Sequence, residues 1–286
     1  MKRVLSFLFV CATAVALIFF AGESGARSEP EQRIAAQTYL GFDLNIFPGT
    51  NALPVLRKTF AFGGYWLSPP PGEKSNSWSG KREEMREQQF GFLLLYLGRE
   101  SRELRNLATA REKGSLDARN AAAAAKRDGF PAQAILFLDI EEGGRLPETY
   151  HAYLQVWAKQ LEEAGYRAGA YCSGMPVREG PDATITTADD IRAHAPSQDF
   201  TFYVFNDACP PSPGCVFSQT PSAPANSGIP FAALWQFAQS PRRKQFTAHC
   251  APGYSADGNC YAPGDSAHAW LLDVDSATSA DPSNGM

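Results

Sequence analysis

The residues most able to do chemistry sit in the stretch "AILFLDIEEGG", Ala134–Gly144. There an unbroken apolar run ends in Asp139, Ile140 and Glu141, with two glycines close behind. Side chains alternate across a strand, so residues two apart share a face, about 6.6 Å apart along it. Two carboxyls so placed cannot both ionise easily in a poorly hydrated site, and their pKa values split. One keeps a proton to give away while the other stays charged, which is what cleavage of a glycosidic bond needs. An isolated Asp-x-Glu could also do no more than cap a strand, by accepting loop amides or a buried arginine. Here other apolar runs end in groups of the same kind. Asp43 and Asn45 close one, Tyr65 and Trp66 sit in another, and Tyr96, Tyr171 and Asn206 lie near the ends of three more. Trp235 and Gln236 follow, then Asp273 and Asp275. The acids would line a groove with Asp139 and Glu141. Aromatic side chains would offer sugar rings a flat apolar surface, with Trp66, Tyr171 and Trp235 expected at the groove rather than at the floor of the fold.

Other catalytic templates find less support. No Gly-x-Ser-x-Gly surrounds a serine, and "AYCSGM" lacks its first glycine. Cys172 with a histidine could imitate a thiol hydrolase, but nothing in the sequence places the two together. His151, His194, His249 and His268 show no ligand spacing and are expected on the surface or in loops; Cys-x-x-Cys and His-Glu-x-x-His are both absent. No metal and no cofactor are therefore expected.

The elements that must position these groups are short and apolar on both parities: Thr38–Asn45, Ala61–Ser68, Phe90–Gly98, Ala134–Glu141, Tyr166–Ser173, Asp199–Asn206, Phe231–Phe237 and Ala269–Asp275. Such runs suit strands covered on both faces in a parallel sheet. Between them, Pro147–Ala164 carries the helical stripe Tyr150, Tyr153, Leu154, Trp157 and Leu161, with Pro147 suited to the first turn and Gly165 to the cap. Ser115–Asp128 has a capping serine, an alanine-rich body and Gly129 as its stop. Weaker helical stretches cover Ala52–Lys58, Gly80–Gln89 and Ala188–Ala195. Eight strands interleaved with helices predict a (β/α)8 TIM-type barrel in one domain, with active groups at the strands' C-terminal ends. An open doubly wound sheet would want a nucleotide-binding glycine turn, and neither GxGxxG nor GxxxxGK[ST] occurs.

The chain of 286 residues, 44% hydrophobic and 20% charged, has the composition of a globular domain. Lys2 and Arg3, the apolar run Val4–Phe20 and the small residues Ser24, Gly25 and Ala26 form the three parts of a secretory leader, with cleavage expected after Ala26. A retained anchor is the alternative, because the run approaches spanning length. Removing residues 1–26 takes Lys2, Arg3 and Glu23 from 26 basic and 30 acidic residues, leaving a net charge of −5. A mildly acidic chain with no basic run has no electrostatic footprint for nucleic acid. In an exported protein, "CPPSPGC" and "CAPGYSADGNC" read as local disulfides, Cys209–Cys215 and Cys250–Cys260, in long loops after the sixth and seventh strands. Cys172 is left as a buried thiol. The expected organisation is a leader over 1–26, a linker over 27–37, the barrel over 38–277 and a disordered tail over 278–286.

"GFDLN", "FLDIE", "YLQVWAKQLEEAGYRAGAYCS", "LWQF" and "LLDVDSA" together resemble the glycoside-hydrolase-like proteins of domain-of-unknown-function 1906, a group similar to the family 25 muramidases. The resemblance runs from about Thr38 to Ala277. It implies a barrel with an acidic groove, in which Glu141 resembles the acid/base and Asp139 the neighbouring carboxylate. Asp43 and Asp275 resemble further acids of the groove, whereas "YWLSPPPG" and the cysteine loops have no counterpart in that pattern. The implied function is an exported hydrolase of cell-wall glycan, peptidoglycan first, secreted or periplasmic, monomeric and without stable membrane insertion. The alternatives are a non-catalytic sugar-binding or cell-envelope protein that keeps the groove, and a chitinase-type N-acetylhexosaminidase. "LDIE" resembles the end of the chitinase-type DxDxE motif, with Phe137 in place of its middle acid.

Overall fold

A computed structural model of the protein describes residues 37–195, 200–250 and 252–286. The expected leader and nearly all of the expected linker lie outside the described residues. All eight apolar runs become strands of one closed barrel. They are β1 (Tyr39–Asp43), β2 (Phe62–Trp66), β3 (Gly91–Leu97), β4 (Ile135–Asp139) and β5 (Arg167–Ser173), then β8 (Thr201–Phe205), β9 (Leu234–Ala238) and β10 (Asp273–Ala277). A small antiparallel hairpin, β6 (Val177–Arg178) and β7 (Thr184–Ile185), stands apart from it. The helices are α1 (Leu53–Leu56), α2 (Arg82–Glu87), α3 (Leu107–Arg127), α4 (Glu148–Glu163), α5 (Thr187–His194) and α6 (Lys244–Thr247).

The barrel order is β1-β10-β9-β8-β5-β4-β3-β2, and β10 runs antiparallel to both its neighbours. An all-parallel sheet is thus corrected to a mixed one, and the reason is the connection. A parallel strand needs a crossover that returns the chain to the bottom of the barrel. Between β9 and β10 stands only α6, four residues long, in a loop-rich segment. The chain therefore stays at the mouth and enters β10 from above. Leaving β10, it emerges at the bottom, where residues 278–286 close the floor. Ser283 N–H donates to the Phe92 carbonyl at 2.9 Å, and Ile135 N–H donates to the Ser283 carbonyl at 2.8 Å. The Ser283 hydroxyl oxygen accepts Leu94 N–H at 2.9 Å and Asp281 accepts Phe92 N–H at 2.8 Å. The expected disordered tail is in fact an ordered plug, because the exposed donors and acceptors at the strand starts need partners.

The interior is filled by large side chains opposite glycines. A Cβ on Gly41 would collide with the Phe62 ring, and one on Gly169 with the Phe137 ring, so these strands approach as closely as they do only without side chains there. Helix α4 begins after Pro147 and ends before Gly165 (φ 84°), as expected. Helix α3 starts eight residues earlier than expected, capped by Asn106, whose side chain accepts Thr109 N–H at 2.9 Å. Gly114 is carried inside that helix because a Cβ there would stand 2.5 Å from the Tyr153 carbonyl oxygen on α4. The pairing of α3 with α4 thus overrides the cost of a helical glycine.

The cysteine bridges are also corrected. Cys209 pairs with Cys250 and Cys215 with Cys260, with Cα separations of 5.4 and 5.7 Å. The two loops lie against each other, with Cys209 N–H donating to Phe246 O at 3.0 Å and Cys215 N–H to Pro252 O at 2.9 Å. Each cysteine therefore meets one from the other loop rather than its sequence neighbour. Cys172 is buried and unpaired, as expected. Among the described residues no helix is long and apolar enough to cross a membrane.

Candidate active site

The C-terminal ends of the seven parallel strands and the start of β10 surround a cavity of about 280 Å³. Asp43, Asn45, Trp66, Asp139, Glu141, Tyr171, Gln236 and Asp273 line it, so eight of the residues singled out in the sequence meet here. Leu95 and Tyr203 complete the inner wall, with Pro71, Gln239, Ser240 and Pro241 above. A second cavity of about 470 Å³ continues from it past Asp43, Asn45, Ser240 and Asp273 toward Ile46 and Trp270.

Five other expected groove residues lie elsewhere. Tyr65 is fully buried on the outer face of β2, where its hydroxyl donates to Asp128 at 2.9 Å and its ring packs on Phe130. Tyr96 packs on Trp157 of α4, with ring centroids 5.5 Å apart. Trp235 is buried beside Phe237 and donates through Nε1 to the Asn206 carbonyl at 2.9 Å. Asn206 spends its amide on the Ser227 carbonyl at 2.7 Å. Asp275 lies one inward position below Asp273, out of reach of the cavity, because β10 descends from the mouth and Asp43 faces Asp273 while Gly41 faces Asp275. Strand parity explains the first three: neighbours on a strand face opposite sides, so Trp66 inside puts Tyr65 outside, Leu95 excludes Tyr96, and Gln236 excludes Trp235.

A hydrogen-bond network holds the mouth. Tyr203 Oη lies 2.9 Å from Asp43 Oδ2 and 2.7 Å from Asp275 Oδ1. Gln236 Nε2 donates to Asp43 at 2.9 Å, and its Oε1 accepts the Tyr171 hydroxyl at 2.8 Å. Asp273 accepts Ser240 N–H at 2.7 Å. One hydroxyl has one proton, so Tyr203 can donate to only one of its two carboxyls. A protonated acid supplies the other bond.

Burial raises the pKa values of these acids. It pushes the Asp139 carboxyl well above the usual carboxylate range, and the neighbouring charges of Glu141 and Asp43 push the same way. Burial likewise raises Asp273 and Asp275 well above it, with Asp43 adding to both. Asp43 itself is raised, because burial outweighs its bonds from Gln236 and Tyr203. Among the described residues none of the four meets a cation in an ion pair. Asp139 is 3% exposed and one of its oxygens, Oδ1, is buried without a partner. Glu141, just past the end of β4, is exposed at the rim and faces Asp139. The arrangement therefore favours a proton on a buried carboxyl next to a second, solvent-facing acid.

Residues 70–203 match the family model described as the Rv2525c-like, glycoside hydrolase-like domain, a segment that contains Asp139 and Glu141 but neither Asp43 nor Asp273. Among solved structures, an uncharacterized protein of B. stearothermophilus is 20% identical, with a TM-score of 0.51 over 83% of this chain and 94% of that one. GHIP, a glycosyl hydrolase 25 of Streptococcus pneumoniae, is 9% identical, with a TM-score of 0.50 over 83% and 86%. The Tat-secreted protein Rv2525c of Mycobacterium tuberculosis is 14% identical, with a TM-score of 0.49 over 84% and 95%. No curated protein matches the chain. The fold is thus one also used by family 25 glycosyl hydrolases, and over residues 70–203 the chain is similar to the glycoside hydrolase-like family that its strand-end motifs resemble.

Proposed function

We propose that the protein is an exported glycoside hydrolase of cell-wall glycan, with peptidoglycan as its leading substrate. The observation that carries this reading is the Asp139–Glu141 pair, one carboxyl buried with its pKa raised, the other exposed at the rim of a polar, aromatic-lined cavity. Two cross-loop disulfides agree with export.

The chemistry follows from where the proton sits. Burial and the neighbouring Glu141 favour the protonated form of Asp139, so the two act as one unit rather than as independent acids. Glu141 reaches the glycosidic oxygen and delivers a proton to it as the C1–O bond breaks. The Asp139 proton passes to Glu141 in the same step. Asp139 is left anionic beneath the sugar as positive charge develops at C1. Water then adds its oxygen to C1, and its released proton returns to the pair. Asp43 and Gln236 on the facing wall would orient the sugar hydroxyls, with Trp66 and Tyr171 beside the ring.

Digestion of purified sacculi, with product masses and reducing ends read out, tests the proposal. Release of reducing muropeptides is the expected result. Retention of glycan without any product would replace hydrolysis by sugar binding alone, and cleavage of chitin in place of sacculi would move the substrate to another N-acetylhexosamine polymer.

A further inference from the structure

On the outer flank, α4 and α5 bring together two imidazoles and a carboxylate. His151 of α4 is 9% exposed, although a surface or loop position was expected for it. Its Nε2 lies 3.1 Å from Asp190 Oδ2 of α5 yet makes no hydrogen bond. His194, one turn further along α5, has Nδ1 3.4 Å from Asp190 Oδ1. Ligand atoms of the three residues all lie within 4.8 Å of one another. Two polar atoms that are close but not aligned for a hydrogen bond leave a buried nitrogen unexplained. A third atom bound by both would satisfy it once His194, whose ring stacks on His151 with centroids 4.0 Å apart, turns its nitrogen toward that atom.

We propose that His151, Asp190 and His194 form a divalent transition-metal site, with zinc the best match to its ligands. Zinc takes nitrogen and carboxylate oxygen at about 2.0–2.2 Å, so neighbouring ligand atoms in a tetrahedron lie about 3.3 Å apart. The separations, 3.1 Å to Oδ2 and 3.4 Å to Oδ1, lie near that value, each to a different oxygen of the Asp190 carboxylate. Asp190 is already oriented as a metal ligand's carboxylate usually is. Its Oδ2 accepts Leu146 N–H at 2.9 Å and its Oδ1 meets the Arg145 guanidinium at 3.2 Å. Arg145 is itself neutralised by Glu179, so its charge does not stand alone against an incoming cation. His194 Nδ1 lies 2.8 Å from the Asp190 carbonyl oxygen, a bond it must release on loading. Its side chain, 43% exposed, has the freedom to turn. A fourth position opens onto a cavity of about 290 Å³ lined by Arg111, Arg145, Glu148 and Gln155, with room for water or a small anion.

The site ties α5 to the segment that follows Glu141. Thr187 donates to the Glu142 carbonyl at 3.1 Å, and Leu146 is held by Asp190. Metal here would stiffen that segment without touching the groove.

Calorimetric titration of the tag-free, chelator-stripped full chain with zinc chloride tests the site, and no glycan is needed. One equivalent is expected to bind, cobalt(II) in its place should show the intense visible bands of a tetrahedral site, and the melting temperature should rise with zinc. His194→Ala and, independently, His151→Gln should weaken binding more than about tenfold. The exposed His194 variant should melt like the parent in chelator, and Asp139→Asn should bind zinc like the parent. Absence of stoichiometric binding would overturn the proposal, as would parent-like affinity in both histidine variants or loss of binding in Asp139→Asn alone.

Discussion

Asp117 and Asp190 on the flank of the barrel, and Asp207 just past the C-terminal end of β8, are as fully buried as Asp275 at its centre, but the two groups keep different company. Asp117 takes two bonds of 2.7 Å from Arg99 and a third, at 3.0 Å, from Tyr153. Asp207 is clasped by Arg243, and Asp190 by Arg145 and Leu146 N–H. The mouth acids Asp43, Asp139, Asp273 and Asp275 have only neutral donors and one another, and burial raises them all. A buried charge that serves the fold is paired. Three buried carboxyls and a half-buried fourth, Asp273, left without a cation are a cost that packing alone does not explain, and perturbed acids of this kind cluster where chemistry is done.

If this division holds, the largest effect belongs to the rim pair. Glu141→Gln keeps the shape and removes the acid, and turnover on sacculi should fall by on the order of 10²–10⁴ while glycan is still bound. Asp139→Asn removes the stored proton and should lose activity on a similar scale, also with binding intact. Full activity in either variant, on a substrate that the parent cleaves, would remove that residue from the proposed proton path.

On the flank the same kind of change should strike the fold instead. Asp117→Asn leaves the Arg99 guanidinium and the Tyr153 hydroxyl facing a neutral amide. Breaking a buried pair costs about 3–5 kcal/mol, and the lower end applies because Arg99 keeps 30% of its side chain exposed. Urea unfolding should report a loss of about 3 kcal/mol, with binding of glycan by the folded protein unaltered. A loss below about 1 kcal/mol would put this pair among surface ion pairs and blur the comparison.

A smaller effect should appear in the pH dependence of stability. A carboxyl whose pKa is raised by folding favours the native state at low pH. That contribution is complete below the unfolded value, 3.8 for aspartate, and is lost as pH rises through the folded value. Asp275→Asn should therefore flatten the gain in stability on acidification from neutrality toward pH 4, by at most about 1.4 kcal/mol per pH unit for one proton. Glu84, Glu103 and Glu179, whose pKa values are lowered, tilt the whole protein the other way. The difference between parent and variant is thus the quantity to read. An unchanged slope in the variant would mean that Asp275 is ionised in the folded protein.

How much of this could be seen in the chain depended on the range of each signal. Apolar runs are local signals, and each of the eight barrel strands overlaps one, β9 and β10 running one and two residues past theirs. Asp139 and Glu141 were visible because one strand supplies both. The direction of β10 was hidden, since it depends on a connection that lacks a crossover helix and not on the strand itself. Tyr203 was missed inside "DFTFYVFN", although parity with Phe205 places it on one face, and the same rule would have separated Tyr65 from Trp66 and Trp235 from Gln236. The cysteines paired across loops because two loops distant in sequence fold onto each other. His151 could not be joined to Asp190 from spacing, although Asp190 and His194 are one helical turn apart.

The smallest expected effect tests that parity rule. Tyr65 and Tyr171 both lie on barrel strands and both bond through their hydroxyls, Tyr65 to Asp128 on the flank and Tyr171 to Gln236 at the mouth. Removing the Tyr65 hydroxyl deletes one hydrogen bond and leaves the ring packed among Trp78, Phe92 and Phe130. Tyr65→Phe should therefore cost about 0.5–1.5 kcal/mol, or somewhat more if Asp128 finds no water in its place. It should leave glycan affinity and turnover at the parent's values. Tyr171→Phe should reverse the pattern, because the Gln236 carbonyl loses one of the two donors, Tyr171 and Gln239, that fix the amide against Asp43. Its stability cost should be of the same order, but glycan affinity should fall. If Tyr65→Phe weakened glycan binding at unchanged stability, the outer face of β2 would communicate with the groove, and the separation of flank from mouth would fail at that strand.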